Sequence, residues 1–450
     1  MAKIDDNEIR ISEKCIAMAL EKGASKARVK LEKSTMDLVA ILNGEVDKVT
    51  HCFDESLSVT LFVDGRYGTY STNRMNEREL GAFLDRAIDM TRMLEKDECR
   101  DLPAPERICK DAVQGDEMGL NDLFCEVLTP QHRLSLALKA SIFEATQRRS
   151  DLPCRLISEE SEYSDSTSDL LLLDSQGLRC RHTETSFDYW VEMTVVTPDG
   201  DKFSGSWWHS SPRLDGLEIQ QCGPKALDLA VAQIGPKSLR SGRYNIVIDS
   251  EVAPKIVSPI LKALNAYSIQ QDNSFLKDSL GKRIFPEGLT ITDRCHTRGE
   301  SGSTLFDSEG VATVEAPVIE DGTVMEYFVN TYMANKMGIA PTAESAVRPE
   351  VRPFPKEGLT RDDLMELCGN GVLITDFNGG NSNQATGDFS YGVEGFAFRN
   401  GKITHPVREM VLTGNFITLW SRFIAAGSDS RRCKEKLVPS LAFAEADLSA

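Results

Sequence analysis

The sequence predicts an α+β protein, in which an N-terminal domain of duplicated β–α units precedes a C-terminal, antiparallel β-rich domain. Strand-like runs are separated by X-Gly pairs such as Asn43-Gly44 and Asp64-Gly65, which supply the positive φ angles of tight hairpins. Amphipathic helical stretches stand between these runs. Because hairpin turns join many of the strands, the pattern indicates an α+β fold and not a parallel nucleotide-binding sheet.

The N-terminal domain is predicted to contain two similar halves. The first half reads as a helix, three strands and a helix, over residues 5–22, 26–31, 36–42, 56–63 and 77–93. The second half reads as a helix, four strand-like runs and a helix, over residues 131–148, 155–160, 170–173, 179–183, 189–197 and 217–234. The turns Asp64-Gly65 and Asp199-Gly200 lie about 135 residues apart, which favours one duplicated unit over a solenoid.

Two breaks in the pattern divide the chain. Residues 98–128 lose all periodicity and are predicted to form a surface connection between the two halves. The stretch 235–242 is the predicted boundary between a domain of residues 1–237 and a domain of residues 238–450. In the second domain we expect strands and helices over residues 243–249, 252–267, 289–292, 313–319, 324–329 and 416–427.

The second domain is organised around the glycine-dense stretch 369–415. Its residues 372–374 predict a short buried strand, and residues 377–387 predict a polar loop. From Asp388 to Glu394 polar residues occupy the even positions and apolar residues the odd ones, as on a strand with one buried face. We expect a bulge at Gly395, where the apolar positions change to even numbers, and a tight turn at Asn400-Gly401.

Composition excludes several classes of function. The 450 residues carry a formal net charge of −18, from 51 basic and 69 acidic side chains. Phosphate backbones and anionic membranes attract basic surfaces, so we expect neither nucleic acid nor a membrane as partner. Eleven cysteines stand without a C-x-x-C pair, which is typical of reduced thiols. The first ten residues contain no apolar signal region, and we expect a cytoplasmic location.

Motifs for common catalytic chemistry are absent from the sequence. There is no phosphate-binding glycine loop and no GxSxG elbow, and the six histidines are too far apart to form HExxH or HExxxH. Cys295 and His296 form an adjacent thiol–imidazole pair, but neighbours on a strand point to opposite faces. The segment 376–387 is only faintly similar to a calcium loop, because Asn381 and Gly387 replace the glycine and the acid that such a loop needs.

Asp388 and Glu394 are the candidate pair of carboxylates in the glycine-dense stretch. On an extended strand they would lie about 20 Å apart, at ~3.3 Å per residue, which is too far to flank one bond. Two roles therefore stay open for them. They could accept hydrogen bonds from backbone N–H groups of the glycine-rich loop, or they could contact the backbone of a substrate.

The C-terminal half contains several specific short strings. The most specific is TGDFSYGVEGF at residues 386–396; the others are residues 303–310, Asp321-Gly322, Tyr332, Ala334, Gly338, residues 371–385, Asn400-Gly401, Pro406-Val407 and Gly414-Asn415. By these strings the chain resembles the TldD/PmbA family, on its PmbA (TldE) side. The N-terminal half fits the domain order of that family through its X-Gly turns and Gly68, so the resemblance covers nearly the whole chain.

The resemblance implies a subunit of a cytosolic two-protein metalloprotease that acts on unfolded peptides; the family is also called modulator of DNA gyrase. In the TldD-type subunit a helix with HExxxH and a late cysteine hold zinc, which activates the attacking water. The corresponding helix here reads EVAPKIVSPILKALNAYS and has no histidine, and Cys433 alone cannot hold catalytic zinc. We therefore expect no catalytic residue, metal ligand or cofactor in this chain, and zinc only in the partner.

The role left to the chain is peptide binding and assembly. The expected partners are a TldD-like metal-bearing subunit and an unfolded peptide, with a homodimer when the chain is isolated. Strand edges can bind extended peptides through main-chain hydrogen bonds, and residues 379–394 are the candidate groove or interface. Two alternatives are a stand-alone regulator of gyrase or of a toxin–antitoxin pair, and a thiol hydrolase that uses Cys295 or Cys433. The predicted peptide- or partner-binding residues are Asn378, Asn383, Thr386, Asp388, Ser390 and Glu394.

Overall fold

The computed structural model describes residues 3–450, so the first two residues of the predicted 1–237 domain lie outside the described part. The helices in this range are α1 Asp6–Glu21, α2 Glu77–Arg92, α3 Pro130–Ala140, α4 Phe143–Gln147, α5 Cys222–Ala232, α6 Pro254–Ala263, α7 Ala266–Gln270, α8 Thr331–Met337, α9 Arg361–Cys368 and α10 Phe416–Trp420. The strands are β1 Lys26–Leu42, β2 Glu45–Val63, β3 Arg66–Thr72, β4 Arg155–Asp174, β5 Arg179–Val196, β6 Lys202–Ser211, β7 Gly242–Ile248, β8 Ile291–Asp293, β9 Ala316–Glu320, β10 Thr323–Val324, β11 Pro349–Val351, β12 Asn370–Ser382, β13 Asp388–Arg399, β14 Lys402–Asn415, β15 Phe423–Ala426 and β16 Leu441–Ser449.

The first sheet has six antiparallel strands in the order β3-β2-β1-β4-β5-β6. Each half supplies a long hairpin, a short third strand and a helix that follows it, and the first strands of the two halves, β1 and β4, pair at the centre. The predicted duplication of a β–α unit and the α+β class are confirmed. Asn43 and Asp64 have positive φ angles of 54° and 51°, as the hairpin turns require.

The central strands of this sheet are longer than the sequence pattern indicates. Residues 26–31 and 36–42 were predicted as separate strands, and so were 155–160 and 170–173, but β1 and β4 are continuous over 17 and 20 residues. The polar residues between the apolar runs stay in the strands because ion pairs satisfy them. Lys33 lies 2.6 Å from Glu8, and Arg133 lies 2.6 Å from Asp165.

The connection 98–128 is not the surface segment that the sequence predicts. Its Cys109, Ala112 and Leu120 are buried. β6 pairs only with residues 187–196 of β5, and this connection supplies carbonyl groups to the rest of that edge, as in Arg181 N–H to Ala112 O at 2.8 Å. Unpaired backbone groups at a buried edge would be costly, so the segment is held there although its sequence has no strand periodicity.

The C-terminal part is β-rich, as predicted. Six strands run in the order β14-β13-β12-β7-β16-β15, and an additional pairing of β14 with β16 closes them into a barrel-like sheet. All pairs are antiparallel except β7 with β12. A second sheet, in the order β10-β9-β8-β11, packs beside it. Trp420, Phe416 and Phe443 are fully buried in the core that these elements share.

The glycine-dense stretch forms a long β12–β13 hairpin followed by β14. The loop occupies only residues 383–387, because the residues before it continue β12. The bulge predicted in β13 at Gly395 is wrong: the register shifts put the extra residues in the neighbouring strands β12 and β14. Gly395 is needed because a Cβ there would lie 1.8 Å from Leu373 O.

The predicted change of face after Gly395 is also wrong. Ala397 shares a core with Tyr391 and Val393, so the odd positions keep their face. Phe396 and Phe398 are buried as well because α9 covers the other face of the sheet at this end.

Four predicted helices are shorter in the structure, among them residues 217–234, of which α5 keeps Cys222–Ala232. Residues 131–148 divide into α3 and α4, and residues 252–267 divide into α6 and α7, with Asn265 as the N-cap of the second helix of that pair. The last predicted helix, 416–427, is α10 followed by the strand β15. Within residues 3–450, none of the helices combines the length and the apolar character needed to cross a bilayer.

A substitution at Gly205 tests how closely α5 packs on β6. A Cβ at this position would lie 2.3 Å from Ala230 N and 2.5 Å from Ala226 O, which are backbone atoms of the helix. We expect Gly205→Ala to lower the free energy of unfolding by about 1–3 kcal/mol, measured by urea denaturation. The control Ser206→Ala, at an exposed neighbour, should change it by about 0.5 kcal/mol or less. Equal stability of the two variants would contradict this packing.

Candidate functional site

The candidate site is a cleft beside α6, which we call the α6 cleft. It encloses about 600 Å³. Its lining residues come from α6, from the β12–β13 hairpin and from the segments around them: Glu251, Val252, Pro254, Lys255, Ser258, Pro259, Lys262, Phe275, Asp376, Phe377, Ser382, Asn383, Gln384, Tyr391 and Phe416. Concave sites of this size, with apolar walls and a few polar groups, are the usual form of a ligand-binding site.

Helix α6 presents two different faces. Ile256, Val257 and Ile260 are fully buried in the core of the C-terminal part. The cleft side instead carries Lys255, Ser258, Pro259 and Lys262, at the helical spacing that keeps them on one side of the helix. Pro254 occupies the first helical position, where its missing N–H costs no hydrogen bond.

Aromatic rings form the opposite wall of the cleft. Phe377 contacts Tyr391 edge to face with ring centroids 5.5 Å apart, and Phe275 stacks on Phe416 at 5.7 Å. The ammonium of Lys255 lies 5.0 Å from the centre of the Tyr391 ring, so α6 also contacts this wall. Burial raises the pKa of the Tyr391 phenol, which therefore stays neutral.

A network of charged and aromatic side chains joins the cleft to the first sheet. Glu251, just before α6, accepts from Arg431 and from Lys434, each at 2.9 Å. The Arg431 guanidinium lies 4.5 Å from the ring centre of Trp207 and 4.7 Å from that of Trp208, both on β6. These contacts fix the beginning of α6 against the edge strand β6.

The outer edge of β12 is open where it faces the cleft. β7 pairs with β12 only over residues 371–374. Beyond this point residues 376–382 pair with β13, and no other strand of residues 3–450 pairs with them. The register is irregular up to Gly379 and regular from there to Ser382. Phe377 N–H already donates to Asp376 Oδ1 at 2.8 Å, so the part of the edge that is available to an extended chain is the regular part, from Gly379 to Ser382.

The structure distributes the six predicted binding residues over three places. Asn383 lines the α6 cleft. Glu394 lines a neighbouring cavity of about 500 Å³ between β6 and β14, where it accepts from Asn378 at 3.0 Å. Thr386, Asp388 and Ser390 lie exposed at the hairpin tip and on the outer face of β13.

Asp388 and Asn383 stabilise the hairpin tip by different hydrogen bonds. Asp388 accepts from Asn415 Nδ2 at 2.9 Å and from Thr386 Oγ1 at 2.7 Å, and these two bonds hold its pKa below the ordinary value. Asn383 Oδ1 accepts from Ala385 N–H at 2.9 Å. The loop N–H group is thus bound by an amide oxygen, while the Asp388 carboxylate accepts from side chains.

Sequence reasoning missed most of the residues that line the α6 cleft, including Lys255, Lys262 and Phe377. A signal for the two lysines was present. In a helix of otherwise apolar residues, positions 255, 258 and 262 repeat at three- and four-residue intervals and are all polar. No sequence pattern indicated that Phe275 and Phe377, about a hundred residues apart, belong to one wall.

The residues around α6 do not fit a catalytic metal. Within residues 3–450, no three His, Cys, Asp or Glu side chains come together in a way that could hold a metal ion. The cleft face of α6 offers proline, lysine and serine in place of imidazole or carboxylate. Lys436 donates to Ser258 Oγ at 3.1 Å, so an ammonium group lies beside this helix.

The geometry does not support the candidate thiol nucleophiles. Cys295 is 0% exposed, and burial raises its pKa to about 11. The neighbouring His296 is hydrogen bonded to Thr313 Oγ1 at 2.9 Å. In the described part of the chain no imidazole is hydrogen bonded to Cys295 or Cys433, so neither thiol forms the thiol–imidazole pair of a cysteine hydrolase.

Comparison with known families and structures identifies the family. Residues 241–450 match the PmbA/TldA metallopeptidase C-terminal domain, and residues 27–91 match domain 1 of the same metallopeptidase. The crystal structure of a proposed modulator of DNA gyrase from Bacteroides thetaiotaomicron is 35% identical, covers 99% of this chain and 100% of its own, and superimposes with a TM-score of 0.93. The chain belongs to the PmbA/TldD family.

Other PmbA/TldD proteins are similar over comparable lengths. Metalloprotease PmbA of Escherichia coli is 25% identical over 447 residues, which is 97% of this chain and 96% of that protein. The crystal structure of TldE from Thermococcus kodakarensis has the same fold, with a TM-score of 0.82 at 14% identity over 98% of this chain and 100% of its own. The chain is thus a metalloprotease-like protein of the PmbA type.

The hydrogen bonds to the Asp388 carboxylate should make the stability of the fold depend on pH. Because they lower its folded-state pKa, the ionised carboxylate stabilises the fold above the pKa of an unfolded aspartate, near 4, and this stabilisation is lost as the pH falls through the folded-state pKa. We expect the stability difference between the wild type and Asp388→Asn to be largest near pH 7 and to shrink below about pH 4, in urea titrations.

Asp199→Asn, at an exposed turn, is the matched control for the change in net charge. Its stability difference from the wild type should vary less with pH than that of Asp388→Asn. A difference for Asp388→Asn that is the same at every pH would contradict the assignment of these hydrogen bonds to the ionised form.

Proposed function

We propose that this chain is the peptide-binding subunit of a heteromeric metallopeptidase and that its TldD-like partner supplies the catalytic metal. Membership of a metallopeptidase family supports the connection with proteolysis. We assign the catalytic metal to the partner because of the cleft face of α6. Proline, lysine and serine occupy the positions of this face from which metal ligands could reach the cleft. We call this assignment of binding to one chain and metal to the other the division of labour. A chain without such ligands contributes to cleavage by holding the substrate and the partner. We propose that the chain binds its substrate and its partner in the cytoplasm.

The open edge of β12 supports binding of an unfolded peptide. An extended peptide can add to such an edge and bind by main-chain hydrogen bonds, which depend little on its sequence. The regular part of the edge consists of Gly379, Gly380, Asn381 and Ser382. The two glycines have no side chain and the other two side chains are short, so this segment leaves room for the incoming backbone. The predicted groove 379–394 begins in this segment.

Peptide binding at this edge is testable by hydrogen exchange. We expect residues 375–382 to exchange their amide protons more slowly when an unstructured peptide is added in excess. A peptide with the same side chains but N-methylated backbone amides should give little protection, because it lacks the donors that the edge requires. Equal protection by both peptides, or protection confined to other strands, would contradict binding through the main chain.

The division of labour requires a second experiment. We expect the purified chain alone to cleave no unfolded peptide, and a mixture with a TldD-like metal-bearing partner to cleave it until a chelator is added. The partner alone is the matched control. Cleavage by the isolated chain that alkylation blocks and a chelator does not would favour a thiol hydrolase. If neither the isolated chains nor the mixture cleaves the peptide, the result would favour a regulatory binding protein, with gyrase or a toxin–antitoxin pair as candidate targets.

A further inference from the structure

We propose that the α6 cleft selects the peptide that the chain binds. It would take a large apolar side chain, preferably aromatic, from a peptide that has an acidic side chain two positions away. This inference rests on the proposed function, because it assumes that an extended peptide lies along the open edge of β12. It adds the side-chain chemistry of that peptide, which main-chain hydrogen bonds cannot distinguish.

The wall of the cleft provides the apolar contact. Phe275 and Phe377 are half-buried and lie against fully packed rings, Phe416 and Tyr391 respectively. Aromatic edges and faces attract a further ring at centroid distances of about 4.5–7 Å. The volume of about 600 Å³ is sufficient for one large side chain and the chain segment that carries it. Ser258 and Pro259, on the helix side, leave this volume unfilled.

The rim of the cleft provides the charge. Lys255 and Lys262 are exposed and have no carboxylate partner within residues 3–450. Lys436, beside Ser258, also lacks one.

Of the two carboxylates that line the cleft, Glu251 is already paired with Arg431 and Lys434, and Asp376 has no ion-pair partner within residues 3–450. The three ammonium groups beside α6 therefore outnumber the one unpaired carboxylate. They complement a peptide with acidic side chains and disfavour one with basic side chains.

The spacing of the two rim lysines agrees with an extended peptide. Seven residues of an α-helix span about 10 Å, at ~1.5 Å per residue. Alternate side chains of an extended peptide share one face and lie about 7 Å apart, at ~3.3 Å per residue. Acidic side chains two positions before and two positions after an aromatic one therefore lie about 13 Å apart. The two lysines start about 10 Å apart, and their flexible four-carbon stems can span the difference.

The test uses binding of short unstructured peptides to the full-length chain, measured by calorimetry. The reference peptide has Glu-Ser-Phe-Ser-Glu at its centre; one analogue replaces Phe by Ala and another replaces both Glu by Lys. Losing the buried ring should weaken binding to the wild type about 10- to 100-fold. Each lost Glu–Lys contact should cost about two- to fivefold, and this loss should diminish at high salt.

Two variants assign these effects to the cleft. Ser258→Phe fills the volume, so the reference peptide and its Ala analogue should bind it equally; Ser258→Ala, which also loses the bond to Lys436, should keep the discrimination. The double variant Lys255→Gln, Lys262→Gln should lose the preference for Glu over Lys and keep the preference for Phe. This second variant tests the charge independently, should the larger side chain at Ser258 prevent folding.

The outcomes separate this inference from the proposed function. If all peptides bind the wild type equally and residues 375–382 are protected from exchange, the main-chain binding stands and the selectivity is overturned. If Ser258→Phe folds and keeps the wild-type preference for Phe, the apolar side chain binds elsewhere and the inference is also overturned. If no peptide binds or protects the edge, both proposals are wrong.

Discussion

The length of the pairing between β7 and β12 determines the candidate site. The two strands are parallel and pair over only four residues of each, ending at Ile248 and Ile374. Asp249 N–H donates to Ile374 O at 2.9 Å, and the chain then turns away into α6. A longer β7 would cover the remaining edge of β12. Because it ends here, the hairpin projects beyond the barrel with one edge open, and α6 forms the other side of the resulting cleft.

The same turn connects the cleft to the first sheet. Glu251 lies immediately after it and accepts from Arg431 and Lys434, while Arg431 contacts both tryptophans of β6. Cation–π contacts of a partly buried guanidinium are stronger than those of an exposed one, so this network holds α6 and β6 in a defined arrangement. The connection 98–128 also joins the two parts of the chain, because it is hydrogen bonded both to β5 of the first sheet and to the loop at Gly310. The position of α6, which forms one wall of the cleft, is therefore fixed by contacts within the chain.

Local chemistry was predictable from the sequence, and long-range pairing was not. Positive φ angles at Asn43, Asp64 and Asn400 follow from their X-Gly turns, as predicted. The continuity of β1 and β4 depends on partners for Lys33 of β1 and Asp165 of β4 that are distant in the chain. Phe396 and Phe398 are buried only because α9 covers them, which strand periodicity cannot indicate. The α6 cleft was missed for the same reason, as its walls meet only in the folded chain.

A structure of this chain with an unfolded peptide bound tests the central claim most directly. The account predicts main-chain hydrogen bonds between the peptide and residues 379–382 of β12, one peptide side chain among Phe275, Phe377 and Tyr391, and no metal ion held by α6. A peptide bound away from β12, or a metal ion coordinated by side chains of this chain beside α6, would contradict it.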